Sequence, residues 1–325
     1  MSADVVPARE EQSGPTIQRS RVDDAWDAWD RFFFAPASTA TLAVVRITYG
    51  TLLTLWTITL GPDLRAFFMA SGTFPEHPDR NWTTGVLEWF PSDTAVVALW
   101  AVMLVAAICL TIGFQTRLVA VLCAVAVLSF QRRNPYVFNS GDLLVRQIAF
   151  YLALAPAGVA LSLDAWLRDR RSVWHFPQRA QWPLRLLQIE VSLGYLWSMW
   201  AKVRGTMWND GTALNYALRI VDLQRVPLPD FVFDSVLLLN LMTFGTLVLE
   251  LCIALFVWNR RLRPYVLIAG AFMYLMIDLT ITVGFFSFAI FVAYLAFVPG
   301  DAMERWLGRL RERRGRRREA AASSA

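Results

Sequence analysis

The chain has 325 residues, of which 56% are hydrophobic, 14% aromatic and only 18% charged, and its mean hydropathy is +0.42. Globular chains carry roughly 25% charged residues, so this balance excludes an ordinary soluble enzyme, a disordered chain and a disulfide scaffold, and makes the bilayer the expected solvent. The net charge of +5 does not point to nucleic acid, because the basic residues sit between apolar runs and form no single patch interleaved with exposed aromatics.

Residues 1–18 are polar and read as a disordered N-terminus, with no short apolar stretch followed by a small-residue cleavage site. The first apolar run is therefore expected to be a retained span. Over residues 19–40, Val22, Trp26, Trp29 and Phe33 recur at helical spacing opposite Asp23, Asp24, Asp27 and Asp30, which predicts an amphipathic helix on the membrane surface or against the bundle.

A span needs about 20 mostly apolar residues. Segments 41–60, 94–112, 116–131, 143–161, 184–202, 236–258, 264–281 and 283–299 approach that. The last two meet near Gly284, but a single helix over 264–299 would be about 54 Å long, too long for one crossing. The expected fold is thus all-α: a multi-pass cell-membrane bundle of eight transmembrane helices over residues 41–300, with both termini cytoplasmic. That orientation puts twenty Arg residues in inner segments and eight Arg or Lys in outer ones. Arg132 and Arg133 fall on its outer side, against the trend. Residues 301–325 read as a basic cytoplasmic tail that is solvated or binds lipid headgroups.

The outer loop 61–93 contains Phe67, Phe68, Phe74, Trp82, Trp89 and Phe90, too many aromatics for a free connection, and is expected to fold onto the bundle as a lid carrying His77. No role attaches to His175. Cys109, Cys123 and Cys252 lie inside apolar runs without metal-site or redox spacing. The expectation is no metal, no nucleotide and no nucleic-acid partner, with membrane lipid as the surrounding partner.

Charges inside spans are candidate functional groups. Six stand out, in two expected layers: Arg46, Glu190 and Glu250 toward the cytoplasm, and Arg146, Lys202 and Asp278 toward the outside. A structural reading pairs Arg46 with an inner glutamate and Arg146 with Asp278. Lys202 differs from the others, because it is the one lysine among 31 basic side chains. An ammonium gives up its proton when desolvated, whereas a guanidinium effectively does not.

Two stretches resemble the signature of the horizontally transferred transmembrane (HTTM) family. They are NPYVFNSGDLLVRQ (134–147), followed by LSLDA (161–165), and SMWAKVRGTMWNDGTALNY (198–216). That family includes the membrane part of vitamin K-dependent gamma-carboxylase. The resemblance implies a site drawn from Asn134, Asn139, Gly141, Asp142, Arg146, Trp208 and Gly211. In it, Lys202 matches the lysine taken as the base acting on a reduced quinone, menaquinone or vitamin K-like. The carboxylases carry two adjacent lysines there and a histidine in the stretch corresponding to NSGDLL, where this chain has Ser140, Gly141 and Asp142. They also continue into a large soluble portion that engages a peptide substrate. Three functions stay open: a quinol-dependent, carboxylase-like or oxygenase-like lyase; a non-enzymatic bacterial partner in peptide export, maturation or immunity, with a peptide or protein substrate; and a transporter.

Overall fold

A computed structural model of the protein describes residues 21–73 and 85–323. In chain order these form α1 (Arg21–Phe34), β1 (Pro36–Ser38), α2 (Ala40–Leu60), α3 (Leu64–Phe68), α4 (Val86–Trp89), α5 (Asp93–Ile112), α6 (Thr116–Arg133), α7 (Ser140–Leu154), α8 (Leu163–Arg168), β2 (Gln178–Ala180), α9 (Trp182–Val203), α10 (Thr206–Asn209), α11 (Ala213–Ala217), α12 (Asp230–Asp234), α13 (Val236–Phe256), α14 (Arg263–Thr280), α15 (Phe286–Leu295) and α16 (Gly300–Ser323). Each of the eight expected apolar segments contains a helix, though those over 143–161 and 283–299 are helical only in part. By length and composition three helical stretches among the described residues suffice to cross a membrane: Ala40–Phe68, Asp93–Ile112 and Val236–Phe256. Phe286–Leu295 with Gly300–Arg313 adds a fourth if the pair, bent by 101°, counts as one.

Helix ends follow local chemistry. Ser92 caps α5 by accepting from the Ala95 N–H, and Gly113, at φ 74°, closes it in the left-handed region. Pro183 and Pro264 sit in the first turns of α9 and α14, where no N–H is missed. Gly284, at φ 65°, separates α14 from α15 as the sequence led us to expect.

Three boundaries differ from expectation. α7 stops at Leu154 instead of 161, because Ala155 precedes Pro156 and is driven to extended backbone (ψ 150°). The bundle is not purely helical, since β1 and β2 form a two-stranded antiparallel sheet with Ala37 opposite Arg179. The basic tail, for which no element was expected, is helical. It folds as α16, which buries Met303 and Leu307 and takes a hydrogen bond from Ser38 Oγ on Glu304.

The helices alternate between two ends. At one, called the inner end after the expected topology, Arg185 Nε donates to the Phe32 carbonyl, Arg263 donates to the Val257 and Phe297 carbonyls, and α16 packs beside β1 and α2. At the other, Asn134 donates to the Phe67 carbonyl, Asn139 to the Val283 carbonyl, and the Arg225 N–H to the Thr280 carbonyl. The core between holds Tyr49, Phe68, Met103, Phe130, Ile148 and Ile253. Side chains such as Val105 on α5, Leu118 on α6 and Leu241 and Val248 on α13 remain exposed, the apolar belt of a protein that lipid surrounds.

The loop at the outer end folds in only partly. Phe68 is fully buried and stacks edge-on with Phe130, while Trp89 and Phe90 are exposed. Phe74, His77 and Trp82 lie outside the described residues. Residues 1–18 lie there too. On α1 the Trp26 and Trp29 faces are exposed, and Phe32 makes the bundle contact through Trp258 and Arg185.

Candidate functional site

α9 runs beside α13, but the two are offset. Ser192 accepts from Trp258 Nε1 just past the inner end of α13, whereas Lys202, in the last turn of α9, meets Glu250. Glu250 lies fourteen residues, about 21 Å, along α13 from Val236. α9 therefore ends partway along its neighbour. The short helices α11 and α12 pack on the remaining length of α13, with the Leu214 N–H donating to Thr243 Oγ1.

The second motif stretch makes this turn. The Gly205 N–H bonds back to the Lys202 carbonyl, α10 begins at once, and Trp208 places its ring 5.1 Å from Lys202 Nζ, a cation–π contact. Gly211 sits at φ 73°, and a Cβ there would overlap Asn240. Only glycine satisfies both the backbone and the approach of α13.

Lys202 Nζ forms an ion pair with Glu250 Oε1. The lysine side chain keeps 23% of its exposure and the glutamate 3%. Ser198 Oγ is 3.5 Å from the same oxygen, at the edge of hydrogen-bonding range. Glu250 Oε2 is buried without a partner, an expensive condition for a carboxylate. This pairing overturns the two-layer arrangement. Glu250 and Lys202 were expected at opposite depths, and the axial offset of α9 against α13 brings them to one level.

The other expected pairs do not form either. Arg46, fully buried, donates to the carbonyls of Ala157 (3.0 Å), Ala160 (3.3 Å) and Leu161 (2.5 Å). The chain reversal after α7 turns those carbonyls inward. No glutamate is needed, because the three oxygens and the nearby Asp164 supply the negative potential. Glu190 instead accepts from Tyr151 Oη at 3.1 Å. Arg146 bonds Gln131 Oε1 at 3.1 Å, and Asp278 is approached at 3.5 Å by Arg225, which the outer segment brings across.

The first motif stretch lies at the outer end of α7. Asn139 caps that helix: its Oδ1 accepts from the Gly141 and Asp142 N–H groups, and Asp142 Oδ2 accepts from the Asn139 N–H at 2.8 Å, a reciprocal capping box. Asp142 Oδ1 accepts from Trp56 Nε1 at 3.1 Å. A Cβ on Gly141 would overlap Phe286, so that glycine sets the α7–α15 approach. Buried Asn134 holds Phe67 and Tyr136. Of the expected site residues, then, Lys202, Trp208 and Glu250 meet in one place, with Gly211 in the adjoining turn. Asn134, Asn139, Gly141, Asp142 and Arg146 belong to another. Phe286 bridges the two, touching the Gly141 position and stacking on Tyr274 at 5.3 Å.

The sequence reading missed the tyrosines beside Glu250. Tyr195 and Tyr294 hydroxyls hydrogen-bond each other, and the Tyr274 ring lies 6.4 Å from that of Tyr195. The signal was present: Gln188, Ser192, Tyr195, Ser198 and Lys202 recur every three or four residues on one face of an otherwise apolar helix. Among the described residues no acidic, His or Cys group could hold a metal. A cavity of about 440 Å³ near the inner end is lined by Phe114, Thr116, Pro156, Asp164 and their neighbours and includes none of the candidate residues.

A family model described as the HTTM domain matches residues 34–301. No curated protein and no solved structure matches the chain. The match covers both motif stretches and every helix from α2 through α15, and the chain belongs to the HTTM domain family.

Proposed function

We propose that the protein is a multi-pass cell-membrane enzyme of eight crossings, both termini cytoplasmic, that uses a reduced lipophilic quinone with Lys202 as general base. The meeting of α1, the sheet and α16 at one end supports an even number of crossings. One observation carries the chemistry: the only lysine of an arginine-rich chain lies mostly buried at the end of α9 and is paired with a carboxylate whose second oxygen has no partner.

The residues fit a hydroquinone. Trp197 and Trp200 are exposed on the opposite face of α9 from Lys202, near the same end of the helix, and offer apolar surface on the lipid side. The Lys202–Glu250 pair offers a polar end for a phenolic hydroxyl. When bound, a reduced quinone supplies an acidic phenol and reducing equivalents for oxygen chemistry. Lys202 Nζ would accept the phenolic proton after an N–H bond of its ammonium breaks and that proton passes to the paired Glu250 carboxylate, and Trp208 confines the amine. Arginine at this position could not accept a proton. Asp142 and Arg146 shape the bundle next to this site and do not touch its lysine.

The test loads purified protein in lipid discs with reduced menaquinone under anaerobic conditions, adds oxygen and follows quinone epoxide by mass spectrometry. Wild type is expected to form epoxide and Lys202→Ala and Lys202→Arg to form none. Epoxide from either variant at the wild-type rate would defeat the base assignment. No epoxide from folded wild type would transfer the reading to a partner protein in peptide maturation or export, sought through a co-purifying peptide.

A further inference from the structure

The cavity of about 440 Å³ near the inner end has no part in the Lys202 chemistry, and its walls combine apolar and cationic groups. Phe114, Leu118, Pro156, Val159 and Leu167 supply the apolar surface, and Arg117 and Arg168 bring two guanidinium groups to the same space. Both arginines are exposed, and among the described residues neither has a hydrogen-bond or ion-pair partner. The one carboxylate of the lining is already committed. Asp164 Oδ1 accepts from the Gln115 N–H at 2.8 Å, and its Oδ2 accepts from the Thr116 N–H at 3.0 Å and from Thr116 Oγ1 at 2.8 Å. Asp164 thus occupies the donors that the start of α6 would otherwise offer. An anion entering the cavity is met by the arginine side chains.

The backbone around the cavity is fixed. Among the described residues, Gln115 and Leu161, both at φ 47°, are the non-glycine positions in the left-handed region, a conformation that persists only where the surroundings impose it. A Cβ on Gly158 would overlap Thr116 Oγ1, and one on Gly113 would overlap Arg46 and Ser162. The reversals at 113–116 and 155–162 are therefore locked against each other, and residues of both line the cavity.

The surroundings are those of a bilayer interface. Leu118 continues into Val121, Leu122 and Val125, all exposed on one face of α6, a strip of about 10 Å along the helix. On α8, Trp166 is exposed and carries Arg170 over its ring at 4.9 Å, the aromatic and basic pairing expected where headgroups begin. A soluble anion gains nothing from the strip, and a zwitterionic lipid gains less from the arginines.

We propose that this cavity binds one anionic phospholipid, its phosphate held by Arg117 and Arg168 and an acyl chain lying along the α6 strip. Guanidinium forks match phosphate oxygens and are weakly hydrated, which suits a site with apolar walls. The site stands apart from the quinol reading, since the lining includes neither Lys202 nor Glu250.

The test reconstitutes the full-length protein in discs of phosphatidylcholine with a minority of phosphatidylglycerol and counts retained lipid by native mass spectrometry. Wild type is expected to retain one phosphatidylglycerol in preference to phosphatidylcholine. The double variant Arg117→Gln/Arg168→Gln should lower that occupancy about tenfold. Arg305→Gln/Arg309→Gln, which removes two exposed arginines of α16, should leave it unchanged. Equal losses in the two double variants, or no preference over phosphatidylcholine in wild type, would reduce the effect to general surface charge and overturn the site. Displacement of the lipid by millimolar glycerol phosphate would make the ligand a soluble anion and overturn the lipid assignment. Should the double variant fail to fold, the two single arginine variants, each expected to lose about threefold, decide in its place.

Discussion

Asp142 and Glu250 are both carboxylates buried on helices, 7% and 3% exposed, and both are joined to residues of the two motif stretches. Each oxygen of Asp142 has a donor, one from Trp56 and one from the Asn139 N–H. Glu250 has one oxygen on Lys202 and one on nothing. Saturation of a buried acid makes it a fixed part of the architecture, because any change of protonation would break bonds already made. An acid with one oxygen unoccupied keeps room for a proton, which is the condition that chemistry needs. On the proposed function, the first stretch builds the bundle and the second operates in it.

The contrast is broken most severely if Lys202→Arg keeps quinol turnover. The expected loss is a hundredfold or more, with the melting temperature little changed. Arg46→Met tests the opposite kind of buried cation. Removing the donors of three buried carbonyls should cost roughly 3 kcal/mol of stability, read by thermal melting in detergent, and surviving protein should keep its kcat. Asp142→Ala removes a helix cap and the Trp56 bond, for about 1–3 kcal/mol. Gly141→Ala presses a methyl into Phe286, a cost of similar size. A specific collapse of kcat in folded Asp142→Ala would join the two stretches functionally and erase the distinction. The smallest effect is expected of Arg225→Gln, whose pair with Asp278 spans 3.5 Å with the arginine 46% exposed. It should shift stability by less than about 1 kcal/mol in a salt-dependent melt.

The helices were legible in the sequence because apolar runs and their punctuation are local properties. Ser92, Gly113, Pro183 and Pro264 mark their boundaries in place. Pro156 marked the early end of α7 equally well and went unread. Charge partners were not legible, since they depend on the depth at which each helix stops. Lys202 and Glu250 were assigned to different levels on the assumption that α9 and α13 span equal heights. The backbone carbonyls that satisfy Arg46 leave no trace in a list of side chains, so an ion pair was expected where none exists. Lys202 stood out through composition alone, and its tyrosine neighbours were visible only as a polar face on α9.

That polar face bears on how the chain is made. A segment with Arg185, Gln188, Glu190, Ser192, Tyr195, Ser198 and Lys202 is a poor candidate for entering lipid unaided, since charged residues near a helix centre each cost about 2.5–3.5 kcal/mol on the insertion scale. The strongly apolar α13 follows it in the chain and carries the one carboxylate that Lys202 meets. Under the proposed topology, α9 settles into the bilayer only when α13 has emerged from the ribosome and paired with it. The same ion pair then marks, during biogenesis, that two helices separated by a 32-residue connection have found each other.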